Sequence, residues 1–406
     1  MRLTECETFV VGNPPPGFGG RYFIFVKLAT ACGIIGYGEI YAASFSPHLT
    51  AKLAEDVFAR YLLDSDPHEI ERFVRRAYSS GFTQRPDPTV SGVISGLEIA
   101  MMDILGKAHN IPCYGLIGGR VQNRLRCYTY LYPAADETAA DFYNDPDASA
   151  RRAAEKKAEG FTALKFDPAG AYTSFDGHMP AGADIERSRA FCHKIREAVG
   201  TECDLLFGTH GQFTAAGAIR LAQAIAPYDP LWFEEPVPPD SPAEMAKVAR
   251  ATPIAIATGE RLCMAAEFSA ILDHGAAAIL QPDLGRAGGI REGAKIAAMA
   301  AVKQVQIAPH LYCGPIVAAA NIQLATAIPN FLILEMIDNM TGFHAELLDN
   351  PIQIEDGYVV IPTEPGLGVA LKEDVARAHP YKGDKLHLEM DAMPYDNAHS
   401  GEFAGG

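Results

Sequence analysis

Residues 231–236 of the chain read LWFEEP, and three later segments follow the same pattern: IATGE (256–260), ILQPD (279–283) and IAPH (307–310). Each is a short apolar run that leads into an ionisable side chain, and these side chains are Glu234, Glu260, Asp283 and His310. The intervals between them are 26, 23 and 27 residues, each the length of one strand followed by one helix. Such intervals predict parallel strands whose C-terminal ends, and therefore these four side chains, meet at one edge of a sheet.

The same alternation of short apolar runs with helical segments extends over residues 126–335. Eight strands in about 210 residues predict an α/β barrel of the TIM type, in which catalytic groups lie at the C-terminal ends of the strands. The predicted strands lie near 126–132, 162–167, 203–208, 230–234, 254–258, 277–281, 304–308 and 331–335.

The two ends of the chain have a different pattern. The segment RYFIFVKLATACGIIGYGEIY (21–41) contains two β-rich runs separated by Cys-Gly, which predicts a hairpin, and helical periodicity follows over 50–76 and 91–109. After the barrel, IQIEDGYVVIP (352–362) returns to strand-like sequence. We therefore predict three parts: an α+β module over 1–125, the barrel over 126–350, and a C-terminal segment over 351–406 that packs back on the first module.

The composition argues against several classes of function. Lys and Arg number 34 against 50 Asp and Glu, and the net charge of -16 repels nucleic-acid phosphates and anionic lipids. We expect neither nucleic acid nor a membrane as a partner. Because no apolar run of about 18 residues and no secretory signal are visible, we expect a cytoplasmic protein. The eight scattered cysteines form no CxxC pair, which predicts reduced, mostly buried thiols.

Six of the predicted strands end in charged or ionisable side chains. Their convergence on one mouth leaves an excess of negative charge that a cation or a substrate must compensate. Glu234 and Glu260 lie on neighbouring predicted strands, where two carboxylates can share a hard divalent ion such as Mg²⁺. Asp283 and His310 are placed as a dyad in which the carboxylate fixes one imidazole tautomer. The residues at these strand ends are Lys165, Asp167, Glu234, Glu260, Asp283, His310 and Glu335.

This ordered set of motifs resembles the enolase superfamily, in its mandelate racemase/muconate lactonizing enzyme-like branch. The segments FVKLATACGIIGYGE and GLEIAMMDILGKAHNIPCYGLIGG are similar to the capping domain of that family. WFEEP, ATGE, QPD and APH resemble its strand-end motifs in order and spacing, and DGYVVIPTEPGLGV is similar to its usual ending. The resemblance implies a modified (β/α)8 barrel with an N-terminal capping domain that the C-terminal tail completes.

The resemblance also implies a reaction class, the abstraction of a proton α to a carboxylate. In this family a divalent metal and an acid stabilise the dianionic intermediate while a positioned base removes the proton. Carried over by position, Glu234 and Glu260 would bind the metal and Asp283–His310 would be the basic dyad. Lys165 would contact the substrate carboxylate, and Glu335 would form a hydrogen bond with that carboxylate.

The chain departs from the family pattern in two places. A third carboxylate ligand is expected 26 residues before Glu234, but that position is Gly208. His210 shares the inward face of Gly208 and is either a replacement ligand or the general acid, and Asp167 is a second candidate ligand. If position 208 faces the ion, Gly208→Asp should tighten Mg²⁺ binding. The second departure is Asp167 itself, which stands where racemases of this branch carry a second lysine; its weak basicity favours one-base elimination over racemisation.

Two loops are candidates for substrate contact. The insertion at 168–183 is rich in glycine and proline, and its Tyr172, Asp176 and His178 can hydrogen-bond sugar hydroxyls if the loop closes over the mouth. In the segment 13–21, Arg21 can reach a distal carboxylate or hydroxyl of a substrate. The alternatives are a solvated loop without substrate contact and an arginine that only anchors its own loop.

The resulting expectation is a lyase that dehydrates an acid sugar, an aldonate or aldarate, with a divalent metal. Its partner would be a small carboxylate sugar, and the resemblance implies a homo-oligomer. A cycloisomerase of an anhydro-sugar acid or sugar-acid lactone is the first alternative, because it uses the same proton abstraction with a ring C–O bond as the leaving group. A non-catalytic sugar-acid binding protein is the second, because an expected metal ligand is absent.

Overall fold

The computed structural model describes residues 1–41, 44–134, 137–170 and 177–388. The strands are β1 (Leu3–Gly12), β2 (Tyr22–Thr30), β3 (Ile35–Ile40), β4 (Leu125–Tyr130), β5 (Ala163–Phe166), β6 (Asp204–Gly208), β7 (Trp232–Glu234), β8 (Ile256–Thr258), β9 (Ile279–Leu280), β10 (Gln306–Ile307), β11 (Leu334–Met336), β12 (Ile354–Glu355) and β13 (Tyr358–Val359).

The helices alternate with these strands from β4 onwards, as the sequence pattern predicts. They are α1 (Pro47–Tyr61), α2 (Ile70–Tyr78), α3 (Pro88–His109), α4 (Cys113–Leu116), α5 (Ala139–Phe142), α6 (Pro146–Ala158), α7 (Gly182–Val199), α8 (Ala215–Ile225), α9 (Pro242–Ala251), α10 (Met264–His274), α11 (Gly289–Val302), α12 (Pro315–Ala327), α13 (Phe343–Glu346) and α14 (Glu373–Ala378).

The first three strands and helices α1–α4 form an N-terminal unit that we call the cap. Its sheet has the order β1-β2-β3 and is antiparallel throughout. The β2–β3 hairpin is the one that the sequence predicts, but the pattern did not reveal β1. That strand pairs with β2 from Leu3 opposite Thr30 to Gly12 opposite Tyr22. Its sequence, LTECETFVVG, alternates too irregularly to be distinguished from a loop.

Helix α3 lies across the cap sheet at very short range. Asp87 caps its N-terminus by accepting a hydrogen bond from the Val90 amide, and Asn110 ends it in the left-handed conformation. A Cβ atom built on Gly38 of β3 would lie 1.8 Å from the carbonyl oxygen of Gly96 in α3. Glycine is therefore required at position 38 because helix and sheet backbones touch there.

Strands β4–β11 form the predicted barrel, and all eight predicted strands are present. Neighbouring strands from β4 to β10 are parallel, and β11 pairs in parallel with β4. The ring closes through a bridge between Ile307 and Phe331. The interior is filled by one apolar layer to which every strand contributes, and its members are Tyr128, Ala163, Leu206, Trp232, Ala257, Ile279, Ala308 and Ile333.

The C-terminal tail contacts both the barrel and the cap. Its short hairpin β12–β13 adds antiparallel to the barrel strand β4, with Tyr358 opposite Arg126, and not to the cap. The residues that follow contact the cap: the amide of Leu367 donates to Asp103 of α3, and the amide of Tyr381 donates to the carbonyl of Val10 in β1.

The cap and the barrel are joined by two buried glutamates. Glu39 of β3 accepts hydrogen bonds from the amides of Ile316 and Val317 at the start of α12. Glu98 of α3 accepts from the amides of Ile290 and Arg291 at the start of α11. Both side chains are fully buried. Each therefore caps a barrel helix whose first amides have no partner within their own helix. Burial raises the pKa of Glu39 to about 8 and that of Glu98 to about 7, so each acts as a hydrogen-bond acceptor more than as a fixed negative charge.

Two expectations from composition can be compared with the structure. All eight cysteines are free thiols and six of them are buried. Helix α3 has 22 residues and is apolar and long enough to cross a membrane, contrary to the expectation from the sequence. However, 89% of its most apolar 18-residue stretch is buried inside the protein. It is thus the central helix of the cap core.

The glutamate caps lead to a stability prediction. In Glu98→Gln one carboxylate oxygen becomes an amide N–H₂ group, so one of the two α11 amides loses its acceptor. An unsatisfied buried donor costs about 1–3 kcal/mol, and we expect the free energy of unfolding to fall by that amount in urea denaturation. As a control, Glu202→Gln removes a carboxylate whose side chain is 86% exposed and should change stability by less than about 0.5 kcal/mol. Equal stability of the two variants would contradict the capping role.

Candidate active site

Part of the charged cluster at the barrel mouth lies in the layer directly above the apolar layer. Because side chains on a strand alternate between its two faces, the residue two positions after an inward residue also points inward. Lys165 follows Ala163 in this way, Glu234 follows Trp232, and the remaining inward pairs obey the same step. The remaining positions of the upper layer are Tyr130, Gly208, Gly259, Gln281, His310 and Glu335, whereas Asp167, Glu260 and Asp283 lie further along the chain than this step of two.

Lys165 lies at the centre of this layer between two glutamates. Its Nζ is 2.6 Å from Glu234 Oε1 and 3.6 Å from Glu335 Oε1, and all three side chains are buried. Burial opposes the charge on Lys165, but the two carboxylates hold its pKa well above the usual value. Glu335 also accepts a hydrogen bond from the Leu311 amide at 3.0 Å. The lysine is therefore a fixed cation in the floor of the pocket.

His310 and Asp283 form the dyad that the sequence predicts. His310 Nδ1 lies 2.8 Å from Asp283 Oδ2, and Asp283 is held in turn by the Gly285 amide. His310 Nε2 lies 3.4 Å from Glu260 Oε2. Burial opposes protonation of His310, but Glu260 and the hydrogen bond with Asp283 raise its pKa to about 9. Because Asp283 occupies Nδ1, Nε2 is the nitrogen that can exchange a proton with another molecule.

The volume beside Gly208 is occupied by a neighbouring carboxylate. A Cβ atom built on Gly208 would lie 1.8 Å from Asp167 Oδ1 and 2.7 Å from Asp167 Cγ. Strands β5 and β6 pair with Phe166 opposite Phe207, so Asp167 follows β5 at the height of Gly208. The vacated position is thus filled by Asp167. The expectation that Gly208→Asp adds a ligand loses its basis, because the new side chain would collide with the carboxylate already there.

His210 lies between two carboxylates. Its Nδ1 is 3.2 Å from Asp167 Oδ2, and its Nε2 is 3.9 Å from Glu260 Oε1. Burial opposes its protonation, but Asp167 and Glu260 together raise its pKa above the usual value. The backbone at His210 is left-handed, with φ of 49°, and this conformation directs the strand end away from regular extension. The imidazole therefore bridges the ends of β5 and β8.

The site contains carboxylate oxygens, the donors that a hard divalent cation prefers. Asp167, Glu234 and Glu260 supply carboxylates from three strand ends, and Glu260 Oε2 is buried with no hydrogen-bond partner among the described residues. Glu234 is engaged by Lys165, Trp232 Nε1 and Gln281 Nε2. Within the described ranges no group of three or more His, Cys, Asp or Glu side chains is arranged to hold a metal ion. Binding an ion through Glu234 therefore requires that carboxylate to exchange one of its present partners.

The charges at the barrel mouth are also relevant to the binding of a cation. Asp167, Glu234, Glu260, Asp283 and Glu335 are all buried at the mouth, and each is less than 10% exposed. The fixed cations among them are Lys165 and Arg286, whose Nη1 donates to the carbonyl of Glu260 at 3.3 Å. Five carboxylates face these two cations, so the charge balance depends on protonation of His210 and His310, whose pKa values are both raised. Buried charges of this kind are compensated by partners or by metal ions.

The two loop residues Arg21 and His178 lie outside the charged cluster, and their contact with substrate stays a prediction. Arg21 Nη1 donates to the carbonyl of Leu386 in the C-terminal tail at 2.7 Å, so this arginine anchors its loop. His178 is half-buried, and its ring packs edge-on against Phe213 at 5.3 Å. The structure thus brings neither side chain into the charged cluster. Tyr172 and Asp176 lie outside the described residues.

Sequence reasoning missed three side chains that shape the site. Trp232 Nε1 and Gln281 Nε2 each donate to Glu234 Oε2 at 2.9 Å. Tyr41, directly after β3, stacks its ring on His310 at 5.8 Å with an interplanar angle of 28°. Trp232 and Gln281 stand two residues before Glu234 and two before Asp283, so the alternation of inward positions was the signal that could have found them. Nothing in the sequence places Tyr41 beside His310, because that contact joins cap and barrel.

Two family models match the chain. A sequence model described as enolase C-terminal domain-like matches residues 148–375, and one described as the mandelate racemase / muconate lactonizing enzyme N-terminal domain matches residues 18–118.

Full-length relatives match over nearly the whole chain. A D-xylonate dehydratase from Haloferax volcanii is 32% identical over 96% of each protein. A D-galactonate dehydratase from Ralstonia nicotianae is 33% identical over 92% of this chain and 93% of its own length. The crystal structure of a mandelate racemase/muconate lactonizing enzyme from Sulfitobacter sp. is 58% identical, covers 97% of this chain and 99% of its own, and has a TM-score of 0.95. The resemblance drawn from the sequence is confirmed: the chain belongs to the enolase superfamily, in its mandelate racemase/muconate lactonizing enzyme branch.

Proposed function

We propose that the protein is an acid-sugar dehydratase that removes the proton α to a carboxylate and expels a β-hydroxyl group. The observation that carries the proposal is the single basic dyad, in which Asp283 fixes His310 Nδ1 at 2.8 Å and leaves Nε2 to act as the base. The position across the pocket, where a racemase needs a second base, holds the carboxylate of Asp167. The names of the D-xylonate and D-galactonate dehydratases at 32–33% identity support the same class of substrate.

The proton movements follow from the two imidazoles. His310 Nε2 accepts the α-proton, and the C–H electron pair becomes the enediolate of the substrate carboxylate. That electron pair then forms the α,β double bond while the β C–O bond breaks. His210 donates a proton to the departing oxygen, which leaves as water, and the resulting enol tautomerises to a 2-keto-3-deoxy acid. His210 is suited to this role because its ring lies between Asp167 and Glu260 and remains 23% exposed towards the pocket.

Lys165 and Glu335 prepare the pocket for the carboxylate end of the substrate. The ammonium group of Lys165 is buried and already held by two carboxylates, so it stays charged where negative charge develops in the enediolate. Glu335 is fixed by the Leu311 amide and sets the position of that ammonium group. Both residues therefore act without rearrangement during the proton transfer.

We further propose that Asp167, Glu234 and Glu260 hold a divalent cation, with Mg²⁺ favoured by an all-oxygen donor set. When bound, the ion would supply positive charge that stabilises the enediolate and compensates the carboxylate excess. Asp167 replaces the ligand that is missing at Gly208, since its Oδ1 lies where a side chain on Gly208 would begin. This leaves His210 free of the metal and available as the acid.

The base assignment is tested by His310→Asn. Asparagine can keep the contact to Asp283 but cannot accept the proton, so the rate of 2-keto-acid formation from a panel of aldonates and aldarates should fall by about 10³-fold or more. His274→Asn is the control, because His274 is exposed and its ring bonds only within its own helix, to the carbonyl of Ala270. Retained turnover in His310→Asn would refute the role of His310.

Assays with a panel of acid sugars also distinguish a dehydratase from the two alternatives, a cycloisomerase and a non-catalytic binding protein. A cycloisomerase would convert anhydro-sugar acids or lactones and leave open-chain aldonates unchanged. A binding protein would be stabilised by the ligand without incorporating solvent deuterium into substrate or product in D₂O.

The metal assignment is tested by calorimetric titration with Mg²⁺. Loss of a ligand in Asp167→Asn should weaken Mg²⁺ binding by at least about tenfold. Asp204→Asn is the matched control, because Asp204 stands at the opposite end of β6 in an ion pair with Arg126. Moving the carboxylate with the double change Asp167→Gly and Gly208→Asp should restore binding, whereas Gly208→Asp alone should not improve it. Unchanged affinity in Asp167→Asn would exclude Asp167 as a ligand.

A further inference from the structure

We propose that the C-terminal segment Lys385–Leu388 is part of the active-site architecture and that His387 is a positioning residue for substrate binding. The segment holds the cap loop 13–21 over the barrel mouth. The inference rests on the proposed function only in assigning the loop a contact with substrate. The arrangement of the tail and the loop is independent of any reaction.

The cap loop spans the mouth between two strand ends. The ring of Phe18 stacks on Tyr132, which follows β4, with centroids 4.2 Å apart and planes inclined by 21°. Gly19 passes close to the carbonyl oxygen of Cys313, three residues after His310, since a Cβ built on this glycine would lie 3.1 Å from that oxygen. The loop therefore reaches from the first barrel strand to the segment that carries the base.

The tail fixes this loop through consecutive residues. The carbonyl of Leu386 accepts a hydrogen bond from Arg21 Nη1 at 2.7 Å. The amide of His387 donates to the hydroxyl of Tyr22 at 3.1 Å. The His387 ring fills the space beside Gly20, where a Cβ would lie 1.8 Å from Cε1 and where φ is +106°. Only glycine fits at position 20, because both the backbone conformation and the imidazole exclude a side chain.

The same imidazole connects the loop to the catalytic side of the barrel. His387 Nε2 lies 2.8 Å from the carbonyl oxygen of Tyr312, two residues after His310, and Nδ1 lies 3.1 Å from that of Tyr22. The ring also packs edge-on against Tyr41 at 5.1 Å, and Tyr41 in turn stacks on His310. His387 is buried in these contacts. The C-terminal segment, the cap loop and the residues that follow His310 are thus packed against one another.

This geometry predicts a defined kinetic effect. His387 touches the loop and not the reacting atoms, so its loss should loosen residues 13–22 without removing the base or the acid. We expect KM to rise by about tenfold while kcat changes by less than about threefold, because the position of the loop is lost and the base and the acid stay in place.

The experiment compares His387→Ala and His387→Phe with His379→Ala. Phenylalanine keeps the ring packing and removes both polar ring contacts, and it serves if the alanine variant folds poorly. His379 is an exposed histidine of the same tail whose ring bonds to Val375 in its own helix. Amide hydrogen exchange of the peptide 13–22 is measured in the absence of substrate, and KM and kcat are measured with the acid sugar that the wild-type protein turns over.

Faster exchange in 13–22 and a raised KM in both His387 variants, with His379→Ala unchanged, would support the proposal. Unchanged exchange would overturn it, because the tail would not hold the loop. Faster exchange with an unchanged KM would overturn the positioning role, because the loop would not contact substrate. If the wild-type protein turns over no acid sugar, the proposed function fails, while the exchange measurement still decides whether the tail holds the loop.

Discussion

The step of two residues along each barrel strand is the constraint on which the site depends. An apolar layer that includes Trp232 and Leu206 fills the barrel, and the next inward position on each strand forms the floor of the pocket. Because the lower layer is tightly packed, the strand ends cannot shift in height independently. The ionisable groups are therefore placed relative to one another by the apolar packing beneath them, before any substrate or ion is present.

The strand ends bring several buried carboxylates close together. A carboxylate buried away from water is stable only when hydrogen bonds or opposite charges compensate it. Specific pairs provide this compensation: Lys165 with Glu234, His310 with Asp283, and His210 with Asp167. Each cationic or titratable group serves a carboxylate from another strand. The pairs hold the pocket in a defined geometry, and Glu260 faces both imidazoles with its Oε2 lacking a hydrogen bond among the described residues.

The barrel and the charged strand ends could be predicted from the sequence because both follow from periodicity. Strand spacing located Glu234, Glu260, Asp283 and His310. Lys165 and Glu335 were found as charged strand ends, and the family resemblance implied their contact with substrate. The rest depended on contacts between chain segments far apart. The filling of the Gly208 position by Asp167, the packing of Tyr41 on His310 and the anchoring of Arg21 by Leu386 each join separate elements, and no local pattern encodes them. Strand β1 was missed for the opposite reason, because its own alternation is weak and pairing with β2 determines it.

The carboxylates of Glu39 and Glu98 have a consequence for how specificity can be altered in this protein. They lie in the cap, yet the amides that they serve begin the barrel helices α12 and α11. The two parts are thus not interchangeable units joined by a linker. A chimera that takes its cap from a relative would leave the first amides of two helices without hydrogen-bond acceptors, unless the cap of that relative has acidic side chains at both positions. Engineering of new substrate ranges is therefore better directed at the loop 13–21 within the native cap than at exchange of the cap as a whole.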